Sequence, residues 1–400
     1  MSQDNGLPFI IAGGGIGGMA AAIGLSRAGY KVVVLERAKE FGEIGAGIQL
    51  GPNAFHALKV LGVAEKTLEN AVYIDELVMM DGVTGDRIAA IDLGDPFRNH
   101  FRNPYAVIHR ADLHGAMLEV NRKDPNVTLM ASHEVVGYSQ ANGVVVVNTA
   151  DGKSFKGCAL LGADGVRSKI REQVVGDGGP KISGHVAYRA VLPIEEMPEA
   201  LRWNAAALWA GPKCHFVHYP LRGWKLFNIV ATFHSDKYTT ERHNEPGDRD
   251  ELMAHFQHLP PLPKSILEKS DGWRRWVLGD RDPVPNWTQG NVTLLGDAAH
   301  PTHQYFAQGA VMALEDAVEL MRQMQAAKAA GGDFNRAFIA YQDRRITRTA
   351  RIVLSSRAIG QYFYHPAGVE RLVRNQILGT KSQDDFHRGL DWIYGYGRED

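Results

Sequence analysis

Four apolar residues, Phe9 to Ala12, are followed by a glycine cluster, by apolar and small residues at helical spacing from Ile16 to Ala28, and by a second apolar run from Lys31 to Leu35. A short unbroken apolar run reads as a buried strand, and apolar residues recurring at a period of 3.6 read as a helix. The stretch therefore predicts a β-α-β unit whose helix stops at Gly29. The strand-then-turn pattern returns twice. Ala159 to Leu161 precedes Asp164-Gly165, and Ser168 then opens a helix carrying Arg171. Val292 to Leu295 precedes Gly296-Asp297, and an apolar-periodic segment with Glu315 and Asp316 follows.

Residues 181–275 have another texture. "HVAYRAVLPI", "AALWAGPKCHFVHYPLRG" and "LFNIVATFHS" read as strands with turn breaks. "HNEPGDRDELMAHFQHLPPLPKSILEKS" reads as a polar stretch, a helix and a proline-broken loop. Beyond Thr302 the pattern is helical, and Arg344, Arg345, Arg348 and Arg351 read as a solvated face with local acidic partners. The expected fold class is α/β (α+β): a Rossmann-like binding domain interleaved with an antiparallel-sheet substrate domain and a helical C-terminus. The first is expected at 1–72, 102–180 and 276–360, the second at 73–101 and 181–275, and the C-terminal helical segment at 361–400.

Composition narrows the function classes. The 400 residues are 44% hydrophobic, enough for a large core. Lys plus Arg (44) and Asp plus Glu (45) nearly cancel, so nothing points to nucleic acid or to an acidic membrane surface. Cys158 and Cys214 lie far apart, which argues against a disulfide framework or a zinc site and fits a reducing cytoplasm. The N-terminus is polar, and "FIIAGGG" is too short to span a bilayer.

Gly13, Gly15 and Gly18 form G-x-G-x-x-G in the strand-to-helix context that gives the motif meaning. The first glycine allows a tight turn, the second lets backbone approach a pyrophosphate, and the third lets helix and strand pack closely. The helix N-terminus faces the phosphate charge. Glu36 ends the second strand, where a carboxylate accepts hydrogen bonds from an adenosine ribose, with Arg37 beside it. This motif alone does not separate NAD from FAD.

Taken with Asp164-Gly165 and its following Ser168 and Arg171, and with Gly296-Asp297-Ala298, the glycine motif makes a set of three fingerprints. In that order and spacing the chain resembles the single-component FAD-dependent aromatic hydroxylases of the 4-hydroxybenzoate hydroxylase fold, over almost its whole length. The resemblance implies FAD as cofactor, with Asp297 on the ribityl chain and the helix after Gly309 and Ala310 aimed at the pyrimidine edge of the flavin. That family often has Gly-Gln-Gly there, where this chain has Ala307-Gln308-Gly309. "FGEIGAGIQLGPNA" resembles the segment beside the flavin ring, which places Gly47 and Gln49 near it. "AVIHRADLHGAML" resembles the segment with a flavin-contacting arginine, here Arg110, and Val135 falls where strand backbone meets the adenine. With one glycine motif, NADH or NADPH is expected as a transient co-substrate, and O2 as the oxidant.

In "GPKCHFVHYPLRG" strand alternation puts His215, Val217 and Tyr219 on one face and Cys214, Phe216 and His218 on the other. This segment, Gln304-Tyr305 and the tail "LDWIYGYGRED" resemble the 3-hydroxybenzoate 6-hydroxylases and nearby salicylate hydroxylases. By that resemblance His215 and Gln304 are the catalytic pair that meets the phenolic hydroxyl. A flavin C4a-hydroperoxide attacks electron-rich carbon, and phenolate is richer than phenol. A neutral imidazole, with an ordinary pKa near ~6.5, can take the proton. Tyr105, Tyr219 and His303 are expected to line the pocket, with aromatic packing an equal account of the tyrosines. His300 reads as a brace for its loop and Cys214 as a small apolar filler.

The resemblance thus implies para-hydroxylation of 3-hydroxybenzoate to 2,5-dihydroxybenzoate (gentisate). Salicylate 1-hydroxylation and 6-hydroxynicotinate 3-hydroxylation stay open, as do a flavin dehydrogenase or oxidase and a non-catalytic flavin sensor. The expected partner is a small aromatic acid, with no nucleic acid, no stable membrane association, a cytoplasmic location, and a homodimer left open.

Overall fold

The structure, a computed structural model, describes residues 6–42, 45–240 and 242–398. Glu43 and Ile44, within the stretch expected beside the flavin ring, lie outside the described residues.

The apolar run Phe9–Ala12 is the fully buried centre of a six-stranded sheet. Val32–Leu35 and then Val127–Met130 lie on one side of it. Ala159–Gly162, Val292–Leu294 and Thr288–Gln289 lie on the other. All neighbours are parallel except the last pair. Parallel strands buried on both faces require continuous apolar runs, which is why these segments read so clearly. The order reverses between Phe9–Ala12 and Ala159–Gly162, and the crevice beyond such a switch point is where open α/β sheets bind ligands.

Five strands that lie within residues 181–275 enter an eight-stranded sheet, whose order is Arg242–Pro246, Arg274–Asp280, Lys181–Pro193, Leu226–His234, Cys214–Leu221, Ala205–Gly211, Glu76–Asp81, Arg87–Asp92. Its pairings are antiparallel except Ala205–Gly211 with Glu76–Asp81, which is parallel because the two strands come from distant parts of the chain. The boundary expected at 276 falls inside Arg274–Asp280, so this sheet continues to Asp280.

Two expectations are corrected. The segment read as a proline-broken loop holds the helix Pro261–Glu268, because proline at the first helical turn has no hydrogen bond to lose and its φ is already helical. The arginines beyond Thr302 are not one solvated face. Arg345 is fully buried on the helix Phe334–Ile359. Its guanidinium lies 2.7 Å from Asp316 and 2.8 Å from Glu315, and Arg348 pairs with Glu315 at 2.7 Å. The acidic residues belong to the neighbouring helix Gly309–Ala329, and a one-dimensional charge pattern cannot reveal that two helices meet on their charged stripes. Only Arg344 and Arg351 of the four are exposed.

Removing one member of a buried pair strands the other charge, at a cost of ~3–5 kcal/mol. Arg345→Met is expected to lose about that much in denaturant unfolding, and Arg336→Met, at an exposed position of the same helix, no more than about 0.5 kcal/mol. Equal midpoints for the two variants would show that the buried network does not hold these helices.

Candidate functional site

A cavity of about 2040 Å³ runs from the switch point across to the face of the eight-stranded sheet. Ordinary small-molecule pockets measure ~300–1,000 Å³, so this one has room for a dinucleotide and a second ligand together. It is lined by Gly13, Gly15, Glu36, Arg37, Gly47, Gln49, Arg110, Val135, Asp164, Asp297, Gly309 and Ala310. Gly18 stands behind it: a Cβ there would come within 2.0 Å of the Gly13 carbonyl oxygen. Gly13 has φ of 105°, and a Cβ on it would lie 2.3 Å from the Ala163 carbonyl oxygen. The turn thus excludes side chains on conformational and steric grounds alike.

The helix Ile16–Arg27 begins at Gly15 with no side-chain cap and no acidic residue in its first turn. The helix Gly309–Ala329 begins at Gln308 in the same way. Both N-termini open on the cavity with unsatisfied N–H groups and partial positive charge, as a diphosphate and an anionic ring require. Glu36 accepts from the backbone N–H of Gly14 at 2.7 Å and of Ala38 at 2.9 Å, which fixes its carboxylate at the end of its strand. These features fit FAD: glycine backbone and a helix terminus for the pyrophosphate, a fixed carboxylate for the ribose, and a second helix terminus for the flavin.

Asp297 sits exposed to the cavity on a short 3-10 turn, Gly296–Ala298. The turn is held from behind by Asp316, which accepts from the Gly296 N–H at 3.0 Å and from His300 Nε2 at 2.7 Å. His300 therefore ties the loop to the helix core. Asp164 also lines the cavity, but its carboxylate accepts from Ser168 Oγ at 2.5 Å and from the Lys169 N–H at 2.7 Å. That side chain also braces the start of the helix Lys169–Val174, whose N-cap is Ser168.

The eight-stranded sheet supplies the other wall. His215, Val217 and Tyr219 face the cavity, while Cys214 and Phe216 enter a separate apolar core and His218 accepts from Trp209 Nε1 at 3.2 Å. Cross-strand register puts Thr232 opposite His215. Gln304 Nε2 donates to Thr232 Oγ1, which brings Gln304 beside His215, and its buried Oε1 has no partner. Tyr105 donates to Gln49 Oε1 at 2.7 Å, and the Tyr219 ring packs against the backbone of Gly47, whose N–H bonds Asn228 Oδ1 at 2.6 Å. His303 lines the cavity and approaches Asp280 at 3.5 Å, while neither of its ring nitrogens has a hydrogen-bond partner.

His215 is not isolated. Its Nδ1 lies 2.7 Å from His365 Nε2, and His365 Nδ1 lies 2.9 Å from Nε2 of His234, which is exposed. Burial first, and then the neighbouring His234, bring the His215 pKa down to about 3, so the ring is neutral at neutral pH. The sequence gave no sign of His365, which arrives from a segment 150 residues away, just after the π-helical turn Gly360–Tyr364. Arg189 was missed for a similar reason. It is a strand residue in an apolar context, yet it lines the cavity with its buried Nε unpartnered. Burial and the nearby Arg110 bring its pKa down to about 10, the signature of a cation without an anion beside it.

A family profile described as "FAD binding domain" matches residues 7–356. The chain belongs to this FAD-binding family. Over 390 residues it is 49% identical to the 3-hydroxybenzoate 6-hydroxylase of Polaromonas naphthalenivorans (strain CJ2), covering 98% of this chain and 96% of that one. It is 49% identical to the 3-hydroxybenzoate 6-hydroxylase of Klebsiella oxytoca, covering 97% and 96%. The crystal structure of Klebsiella pneumoniae HpxO complexed with FAD and uric acid matches with a TM-score of 0.86 at 23% identity, covering 98% of each chain, a likeness of fold. As a member of the FAD-binding family the chain takes FAD as its cofactor.

The expected consequence is loss of FAD from Asp297→Ala protein. One hydrogen bond to a ribityl hydroxyl is worth ~1 kcal/mol, about fivefold in affinity. Gly15→Val is expected to retain less still, because its side chain enters the pyrophosphate path. FAD per chain after gel filtration measures both, and undiminished flavin in Gly15→Val would contradict the placement of the pyrophosphate.

Proposed function

We propose that this protein is an FAD-dependent aromatic monooxygenase that uses NAD(P)H and O2 to convert 3-hydroxybenzoate to 2,5-dihydroxybenzoate. The reading rests on relatives of that name at 49% identity over nearly the whole chain, and on a polar pair at the sheet wall suited to a phenol. When bound, FAD reduced by NAD(P)H supplies, with O2, the electrophilic oxygen. The chain's own residues raise the electron density of the ring it meets.

His215 is assigned the phenolic proton. With its hydrogen on Nδ1, donated to His365 Nε2, it turns the lone pair of Nε2 to the cavity. A base whose conjugate acid has a pKa of about 3 does not hold the proton it takes. It need not, because Nδ1 can release its own proton to His365 as Nε2 gains one. His365 passes a proton from Nδ1 to His234, which is exposed, so no imidazolium is stored in the interior. Gln304 is assigned the hydroxyl oxygen's position: one amide N–H is held on Thr232, and the second is left to donate to the phenolic oxygen, a bond that strengthens as the phenolate forms and adds no charge. Arg189 is assigned the substrate carboxylate. It lies across from Val230, which pairs in turn with Val217, one step along the sheet face from His215. Tyr105, Tyr219 and His303 are assigned the pocket walls. The cofactor part of the molecule is assigned to the six-stranded sheet and the substrate part to the eight-stranded one.

A homodimer is also proposed. The helix Gly368–Gly379 exposes Val369, Leu372, Val373 and Ile377, and a near-zero net charge of −1 does not oppose self-association. Leu372→Glu is expected to halve the mass measured by light scattering, and a wild-type monomer would remove the proposal. No helix among the described residues is long and apolar enough to cross a membrane. The cytoplasm is the proposed location, where the two free, buried thiols, Cys158 and Cys214, persist.

The test is NAD(P)H oxidation across a panel of hydroxybenzoates with product analysis. It separates this reading from salicylate or hydroxynicotinate hydroxylation, and product without an oxygen atom from O2 would leave a dehydrogenase or oxidase instead. In the same assay His215→Ala is expected to retain FAD but to lose hydroxylation ~10²–10⁴-fold, the contribution of a general base, with hydrogen peroxide formed in its place. Raising the pH ionises the phenol in solution and should partly rescue this variant and not the wild type. Gln304→Ala should show a milder loss. Arg189→Met should raise KM ~10–100-fold, as expected for a charged hydrogen bond, with FAD content unchanged. Wild-type coupling in His215→Ala would move the proton to another route.

A further inference from the structure

The histidines behind His215 converge more closely than a proton path needs. His185 and His234 are direct cross-strand partners, and their Nε2 atoms lie 2.8 Å apart. His365 Nδ1 lies 2.9 Å from the same His234 Nε2. One nitrogen thus faces two others, and the three lie within 4.8 Å of one another. The second nitrogen of His185 is buried without a partner. We propose that His185, His234 and His365 form a binding site for a divalent transition-metal ion, and that its occupancy switches His215 from hydrogen-bond acceptor to donor.

Imidazole nitrogens bind Zn²⁺, Co²⁺, Ni²⁺ or Cu²⁺ and offer little to Mg²⁺ or Ca²⁺. At Zn–N distances of ~2.0–2.1 Å, tetrahedral ligands stand ~3.3 Å apart, so the two short pairs open by about half an ångström while His185 and His365, within 4.8 Å of each other, draw together around the ion. Sheet register fixes two of the ligands, and the exposed His234 gives access from solvent. Neutral imidazole is the ligand form, and burial followed by the neighbouring histidines lowers the pKa of His185 and His365. Lys213 and Asp236 act on His234 with opposite sign. A water completes the coordination, with Tyr305 Oη, 3.3 Å from His185 Nε2, close enough to hydrogen-bond to it.

The switch follows from tautomers. An ion on His365 Nδ1 leaves that ring's hydrogen on Nε2, which then donates to His215 Nδ1. His215 must carry its own hydrogen on Nε2 and presents N–H to the cavity in place of a lone pair. This second half rests on the reading of His215 as the base, and the first half does not.

The experiment titrates FAD-loaded protein with Zn²⁺ by calorimetry and with Co²⁺ by its visible d–d bands. Wild type is expected to bind one equivalent that His234→Ala and His234→Gln bind at least about 100-fold more weakly, more than removal of an outer-sphere partner costs. His234 is exposed at a strand end, and retained FAD confirms that its variants are folded. Equal affinity in wild type and both variants overturns the site. In wild type, one equivalent of Zn²⁺ should lower the ratio of hydroxylated product to NADH consumed, with chelator restoring it. Bound Zn²⁺ with unchanged coupling overturns the switch. If the protein hydroxylates no hydroxybenzoate, the functional reading fails while the titration still decides the site.

Discussion

Asp316 is a carboxylate with no exposed surface, and the cofactor end of the cavity depends on its being paired. Burial alone would raise its pKa. His300, Arg345 and the Gly296 N–H more than offset that and hold it down to about 2. A group depressed in this way stabilises the fold fully above its unfolded pKa of ~3.9 and loses that contribution as pH falls toward 2. One charge thereby fixes three things at once: the turn that presents Asp297, the histidine that follows it, and the contact between the two longest helices. An apolar residue at 316 would satisfy none of them, because the partners are a guanidinium, an imidazole N–H and a backbone N–H.

The cavity wall built by the eight-stranded sheet depends on register in the same way that the opposite end depends on charge. A one-residue slip in Cys214–Leu221 would turn His215 into the apolar core and bring Cys214 and Phe216 to the cavity. The slip is prevented by the apolar side, where Phe216 and Phe233 are fully buried, and by the Asn228 contact that ties the sheet to Gly47. Gln304 then reaches Thr232, the residue opposite His215, from a different part of the chain. The polar pair is an outcome of packing on the other face.

What could be read from the sequence divides along this line. The parallel strands and the glycine turn were legible because each is specified by contiguous residues: an apolar run, a φ only glycine tolerates, an uncapped helix start. His215 and Gln304 were reachable through resemblance and alternation. Arg345 looked like surface because its partners sit on another helix. Pro261 looked like a breaker because the same residue opens a helix as readily as it ends one. His365 and Arg189 carry no local mark, since one is placed by a π-helical turn and the other is a lone cation in a strand. Asp164 shows a second job that the fingerprint does not reveal: it lines the cavity, and its carboxylate also accepts hydrogen bonds at the start of the next helix.

The proton relay proposed for the histidines would answer a difficulty that follows from burial. A cavity that dehydrates a phenol also dehydrates whatever accepts its proton, so an interior base is weak because it is interior. A carboxylate there would carry permanent charge against the phenolate it helps to form, and a lysine would already be protonated or be driven neutral at a larger cost. Linked imidazoles avoid both. In the relay we propose, each ring exchanges one proton for another while staying neutral, and the charge appears only at His234, where water can solvate it. The same neutrality that suits proton transfer leaves lone pairs directed at one another behind the site. A chemistry chosen for moving protons is therefore, by its nature, also open to a cation that prefers nitrogen.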